Sequence, residues 1–144
     1  MNLKSISFQL KFASSIIIAF GAMCLLAIFV KTQYPLILTA DIIFWPPGNP
    51  SDVMISKEAI LLSTILGGVM IAWGMMFWMI TEKLLPKDPA LAKSLMLNSA
   101  LIWFVFDSLG SLFGPAPMNA LFNIGFLLPI IIPLLQIRND RKFQ

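Results

Sequence analysis

The chain has 144 residues, of which 58% are hydrophobic and only 12% charged, and its mean hydropathy is +0.87. Soluble domains contain about 45–50% apolar and about 25% charged residues, so this composition predicts an integral membrane protein with a single domain, residues 1–144. The net charge of +3 comes from basic residues between and beyond the apolar segments, which indicates orientation in a membrane and no nucleic-acid partner. Histidine is absent and Cys24 is the single cysteine, which excludes histidine-ligated metal sites and an internal disulfide.

The first apolar segment covers residues 12–30 and follows two lysines near the N-terminus. A cleaved signal peptide is the alternative, but its apolar region is usually about 7–15 residues long and ends at an A-x-A-like site, which this segment lacks. We therefore predict a retained transmembrane helix. Ser15, Ala19 and Ala22 fall on one side of that helix and predict close packing against a neighbour.

The connection at residues 31–58 contains an apolar stretch, Tyr34–Trp45, that is too short to cross a bilayer. A proline-rich segment, residues 46–50, ends the stretch. Apolar stretches of this length are typical of interfacial or re-entrant segments, and Tyr34 and Trp45 fit the aromatic belt of a membrane interface. We predict that this connection forms a flap, which either lies on the helices as a structural element or covers a site.

The second span is predicted at residues 59–80. Ser63, Gly67 and Gly74 lie on one face of this helix. Small residues in such an arrangement allow the backbones of two membrane helices to approach closely. The second span is therefore expected to pack tightly against another helix.

The third and fourth spans are predicted at residues 92–113 and 117–135, on either side of a short turn rich in glycine and proline. Pro129 and Pro133 lie within the fourth span and are expected to bend it, since proline removes a backbone hydrogen bond. The two spans therefore form a helical hairpin. The whole chain is predicted to be an all-α integral membrane protein, a four-transmembrane-helix bundle with an interfacial or re-entrant segment between helices 1 and 2.

The distribution of lysine and arginine predicts the orientation. The N-terminal segment carries two of these residues, the link at 81–93 three and the C-terminal tail three, so that eight of the ten lie on one side. Lys31 and Lys57 lie on the other side. Cytoplasmic segments are the ones enriched in lysine and arginine, so both termini are expected in the cytoplasm, most simply at a bacterial inner membrane.

Polar residues within the hairpin are the candidate functional residues. Asp107 lies in the third span, where an aspartate at a helix centre costs about 2.5–3.5 kcal/mol, and Asn123 of the fourth span is expected at a similar depth. Ser111 and Asn119 are expected to form a second polar layer nearer the turn. Trp103 shares the face of Asp107 at a helical spacing.

Two interpretations of these residues remain open. In the first, Asp107 and the asparagines are structural groups that hydrogen-bond neighbouring helices. In the second, they line a pocket that opens to the outer side, and Asp41 of the flap closes over it. Two carboxylates with no interior lysine or arginine favour a proton or a cationic ligand.

These patterns point to three classes of function. The small-residue faces predict a non-enzymatic protein that acts through helix association, either with copies of itself or with a larger membrane-protein partner. The second class is a binding or transport protein for a small molecule, proton or cation at Asp107. The third is a membrane enzyme acting on a lipid-like substrate, which has the least support because no nucleophile–base pair is apparent. Membrane lipids are expected partners in every case, and no cofactor or metal motif is present.

Overall fold

The computed structural model describes residues 2–29, 33–44 and 56–137. Every regular element in these ranges is a helix: α1 is Leu3–Leu26, α2 is Tyr34–Ile43, α3 is Lys57–Met79, α4 is Pro89–Phe113 and α5 is Met118–Leu135. A π-helical turn, Ile80–Leu84, extends α3. Four helices (α1, α3 with its π-helical extension, α4 and α5) are long and apolar enough to cross a membrane, whereas α2 is too short.

Side-chain caps decide where three of the helices begin. The side chain of Asn2 accepts a hydrogen bond from the Ser5 amide, and α1 therefore starts well before the predicted residue 12. Ser56 caps α3 in the same way, and Asp88 caps α4. Each cap satisfies a backbone N–H that the helix itself leaves free. The helices are consequently longer at these ends than the apolar segments that predict them.

The predicted flap contains a short helix. Of the stretch predicted to lie at the membrane interface, Tyr34–Ile43 is α2, which packs on α5 and α1. Trp45 and the proline-rich segment 46–50 lie outside the described residues, as do Lys31 and the basic residues of the C-terminal tail.

The most extensive contact between helices joins α1 and α3. Gly67 lies directly against the backbone of α1, because a Cβ added there would come 2.6 Å from the backbone oxygen of Gly21. Gly74 lies against Ser14 in the same way, with 3.0 Å between an added Cβ and the Ser14 oxygen. Ser63 donates a hydrogen bond of 2.9 Å to the backbone oxygen of Cys24. The small-residue face predicted for the second span is thus confirmed as a helix-packing face.

The corresponding prediction for α1 is wrong by one position. Ser15 and Ala19 are exposed and Ala22 is half-buried, whereas Ser14 and Gly21 are buried against α3. One residue turns a helix by about 100°, so a face chosen one position away points to a different neighbour.

The remaining contacts place α5 between α4 and α1. Large buried side chains fill the half of the molecule that contains the N-terminus, including Ile6, Leu10, Phe77, Met96 and Leu134. In the most apolar 18-residue stretch of each long helix, no more than 33% of the residues are buried. The outward surfaces of these helices are therefore apolar as well.

Candidate functional site

A cavity of about 220 Å³ lies near one end of the long helices, where α1 and α4 end and where α3 and α5 begin. We call this end the α2 end, since α2 lies there. Residues of all five helices line the cavity, and we call it the Asp107 cavity. Its lining consists of Phe20, Cys24, Leu36, Thr39, Ala40, Ile43, Phe44, Leu66, Met70, Trp103, Asp107, Asn119, Phe122, Asn123 and Phe126.

Aromatic rings of α1, α4 and α5 line the inner wall of the Asp107 cavity, and Trp73 of α3 packs behind them. The ring of Trp103 lies 5.2 Å from Trp73 and 6.5 Å from Phe126, and Phe126 in turn lies 5.1 Å from Phe20, measured between centroids. Trp73 also donates a hydrogen bond of 3.0 Å to Ser99 on α4. Tilted and edge-to-face ring contacts stabilise such a layer. One aromatic residue from each of α1, α3, α4 and α5 therefore holds the helices together beneath the cavity.

Two asparagines of α5 bring polar groups to the cavity wall. Asn119 donates a hydrogen bond of 2.9 Å to the hydroxyl of Ser111, and Asn123 donates one of 3.1 Å to the hydroxyl of Ser108. Asn123 is only 3% exposed, so its position is fixed by packing as well as by this bond. These two bonds join α4 to α5, and the carbonyl oxygen of each amide is left as an acceptor.

Asp107 is the only carboxylate among the described residues that line the cavity. Ser111 donates to the backbone oxygen of Asp107 at 2.7 Å, but the carboxylate itself has no hydrogen bond or ion pair with any residue in the described ranges. Asp107 lies six residues before the end of α4, roughly 9 Å along the helix axis. Its carboxylate is therefore held within the apolar part of the helix, beside aromatic rings and amide groups.

The structure brings together four of the six residues predicted for a site: Trp103, Asp107, Asn119 and Asn123 all line the Asp107 cavity. Ser111 lies behind Asn119 and contacts it, but does not line the cavity. Asp41 does not line it either, although its neighbours on α2 do. One oxygen of the Asp41 carboxylate is buried and has no hydrogen-bond partner among the described residues.

Several site residues are missing from the sequence prediction. Phe126 follows Asn119 and Asn123 at helical spacing, so the same reasoning from spacing indicates that it shares their face. Ser108 directly follows Asp107 and so points about 100° away from it around α4, and spacing gives no signal that it contacts Asn123. Phe20 carries no such signal, because an aromatic residue in an apolar helix is equally typical of a lipid-facing surface.

A carboxylate, aromatic rings and amide side chains in the lining of one cavity form an environment suited to a cation. Aromatic faces attract cations through the ring quadrupole, and aromatic cages are the usual receptors for quaternary ammonium groups. Among the described residues, no group of three or more His, Cys, Asp or Glu side chains could hold a metal ion.

Comparison with known proteins finds no matching family model, no similar curated protein and no similar solved structure.

Proposed function

We propose that the four long helices cross a bilayer as a bundle, in a bacterial inner membrane, with both termini in the cytoplasm. The support is the apolar, exposed surface of these helices, since a helix that is hydrophobic all round is either buried in a large core or surrounded by lipid. The positive-inside rule supplies the direction, because Lys11, Lys83, Lys87 and Lys93 lie toward the end opposite α2. The Asp107 cavity then lies toward the outer side.

The proposed function of this protein is to bind a small organic cation in the Asp107 cavity. The observation that carries the proposal is the Asp107 carboxylate, which lines an aromatic cavity and has no partner among the described residues. An ammonium group in the cavity would contact the carboxylate directly and the ring faces of Trp103 and Phe126 around it. It would also offset the cost of holding an aspartate within the apolar part of a membrane helix.

The structural interpretation of Asp107 has less support. The hydrogen bonds that join α4 to α5 use the hydroxyls of Ser108 and Ser111, each paired with one asparagine. The carboxylate of Asp107 takes no part in either bond. The structural interpretation assigns to Asp107 the role of hydrogen-bonding a neighbouring helix, and Ser108 and Ser111 fill that role instead.

Binding of choline to the purified protein in neutral maltoside micelles tests the proposal. Choline and 3,3-dimethylbutan-1-ol have the same shape and differ in the charged nitrogen, so we expect binding of choline alone. In Asp107→Asn the affinity for choline should fall about tenfold to a hundredfold, the usual effect of losing a charged contact. Asp41→Asn, the matched control, removes a carboxylate outside the cavity and should change the affinity by less than about threefold.

Equal binding of choline and its neutral analogue would refute the proposal. So would choline binding that Asp107→Asn leaves unchanged, or no binding at all. Helix content of each variant, measured by circular dichroism, shows whether a loss of affinity comes from the site or from misfolding.

Helix association is a second proposed function, with the chain acting as an accessory or self-associating subunit. Gly67 and Gly74 pack against α1 within the chain and do not supply an outer contact. Ser15 and Ala19 are exposed on α1 and leave a face where a partner helix can approach. Ala19→Leu should then shift the oligomer count in native mass spectrometry toward the monomer, and a monomeric wild-type protein that co-purifies with no partner would refute this proposal.

A further inference from the structure

An apolar groove of about 650 Å³ lies beside the Asp107 cavity, between α2 and α3. We call it the α2–α3 groove. Its lining is Ala27, Leu36, Ala40, Phe44, Ala59, Ile60, Leu62, Ser63 and Leu66. Among the described residues of this lining, Ser63 alone has a polar side chain, and its hydroxyl donates to the Cys24 backbone oxygen. The groove therefore offers hydrocarbon surface along its whole length.

The groove and the cavity share part of their walls. Leu36 and Ala40 of α2 and Phe44, the residue directly after this helix, recur at every fourth position and line both spaces, as does Leu66 of α3. Ala40 is the smallest of the four and lies in the middle of the row on α2. The boundary between the Asp107 cavity and the groove therefore has its shortest side chain at Ala40.

We propose that the Asp107 cavity takes the head of an amphiphile with an organic ammonium group and a single hydrocarbon chain, and that the chain lies in the α2–α3 groove. This inference rests on the proposed binding of an organic cation at Asp107. It adds the class of ligand and its direction of entry, which is sideways from the lipid between α2 and α3.

The sizes of the two spaces favour such a ligand. The cavity, at about 220 Å³, lies below the range of about 300–1,000 Å³ that is typical of sites for drug-sized molecules, so it suits a head group rather than a whole ligand. The adjoining groove supplies the remaining volume, and its lining is apolar apart from Ser63. Leu62 and Leu66 on its α3 wall are 66% and 47% exposed, so the groove opens toward the lipid.

Competition against radiolabelled choline tests the inference. The competitors are trimethylammonium ions whose fourth substituent is lengthened from methyl to dodecyl. In Ala40→Phe the new ring fills the boundary, so a bound chain can no longer follow its head into the groove. Dodecyltrimethylammonium should then compete at a concentration about tenfold higher or more, measured relative to tetramethylammonium in the same variant, which is the scale of steric overpacking. Ala72→Phe is the control, since Ala72 is exposed on α3 and lines neither space.

Ala59→Trp provides a second variant, because Ala59 lines the groove but not the cavity. In this variant, the longest alkyl chain that still improves competition should be shorter than in the wild-type protein. The affinity for tetramethylammonium should be unchanged. This result decides the question if Ala40→Phe loses all binding.

The outcomes separate the two proposals. In one outcome, tetramethylammonium binds in a manner that depends on Asp107, while neither Ala40→Phe nor Ala59→Trp alters the effect of chain length. That result overturns the proposal of an amphiphile and leaves the proposal of an organic cation standing. Failure of every ammonium ion to bind the wild-type protein overturns both. Loss of the long-chain advantage in the two variants, with tetramethylammonium binding unaffected in Ala59→Trp, supports the amphiphile.

Discussion

Replacing Gly67 by alanine tests the close contact between α1 and α3. A Cβ at this position would lie 2.6 Å from the backbone oxygen of Gly21 and 2.7 Å from the backbone nitrogen of Leu25. Both atoms belong to the α1 backbone, which cannot turn aside as a flexible side chain can. Ordinary contact between such atoms is about 3.5–4.0 Å, so the helices must separate by roughly 1 Å. The separation would also stretch the Ser63–Cys24 hydrogen bond, which is 2.9 Å long.

The neighbouring glycine provides a matched control. A Cβ at Gly68 has nothing within 4 Å, because this residue is on the exposed side of α3. Both substitutions reduce the entropy of the unfolded chain and gain about 0.4–1 kcal/mol from it. Only Gly67→Ala also creates the overlap, which at the usual scale of overpacking costs about 1–3 kcal/mol. The two variants should therefore differ by about 1–3 kcal/mol in the free energy of unfolding, with Gly68→Ala the more stable.

Reversible unfolding in mixed micelles, followed by tryptophan fluorescence, measures this difference. Circular dichroism of the folded variants establishes that both insert with the same helix content. The reasoning fails if Gly67→Ala is as stable as Gly68→Ala, since the α1 and α3 backbones would then not be in contact at Gly67.

Three further predictions follow from contacts and topology. A double-mutant cycle of Ser108→Ala and Asn123→Ala should give a coupling of about 0.6 kcal/mol and at most about 1.7 kcal/mol, because their hydrogen bond is buried between two helices; a coupling of zero in unfolding experiments would contradict the bond. Glu82→Gln should destabilise the protein only slightly, since Lys11 and Glu82 pair at 2.9 Å with side chains that are 31% and 53% exposed. This loss should shrink as salt is added, and a loss independent of salt would argue against the ion pair. Accessibility tagging in cells should find both termini on the cytoplasmic side, and termini on opposite sides would contradict four crossings.

The polar residues of the hairpin show how far reasoning from spacing reaches. Treating the turn as the midpoint between two antiparallel helices predicts that Asn119 meets Ser111, and the structure confirms this contact. The same reasoning places Asn123 level with Asp107, but Asn123 hydrogen-bonds Ser108 instead. Depth along a helix changes by only about 1.5 Å per residue, whereas direction changes by about 100°. Spacing therefore predicts the level of a polar residue better than the partner it meets.

The sequence by itself determines that the protein is helical and that four segments are long and apolar enough to cross a membrane, because these properties depend on composition and on local periodicity. It also identifies Asp107 and the two asparagines as unusual, since polar groups in apolar segments are costly wherever the segments lie. Only the tertiary structure decides that Phe20 and α2 join them around one cavity, and that Asp41 stays outside it. Those decisions depend on how each helix is rotated about its axis and on contacts between residues distant in the chain, which no local pattern encodes.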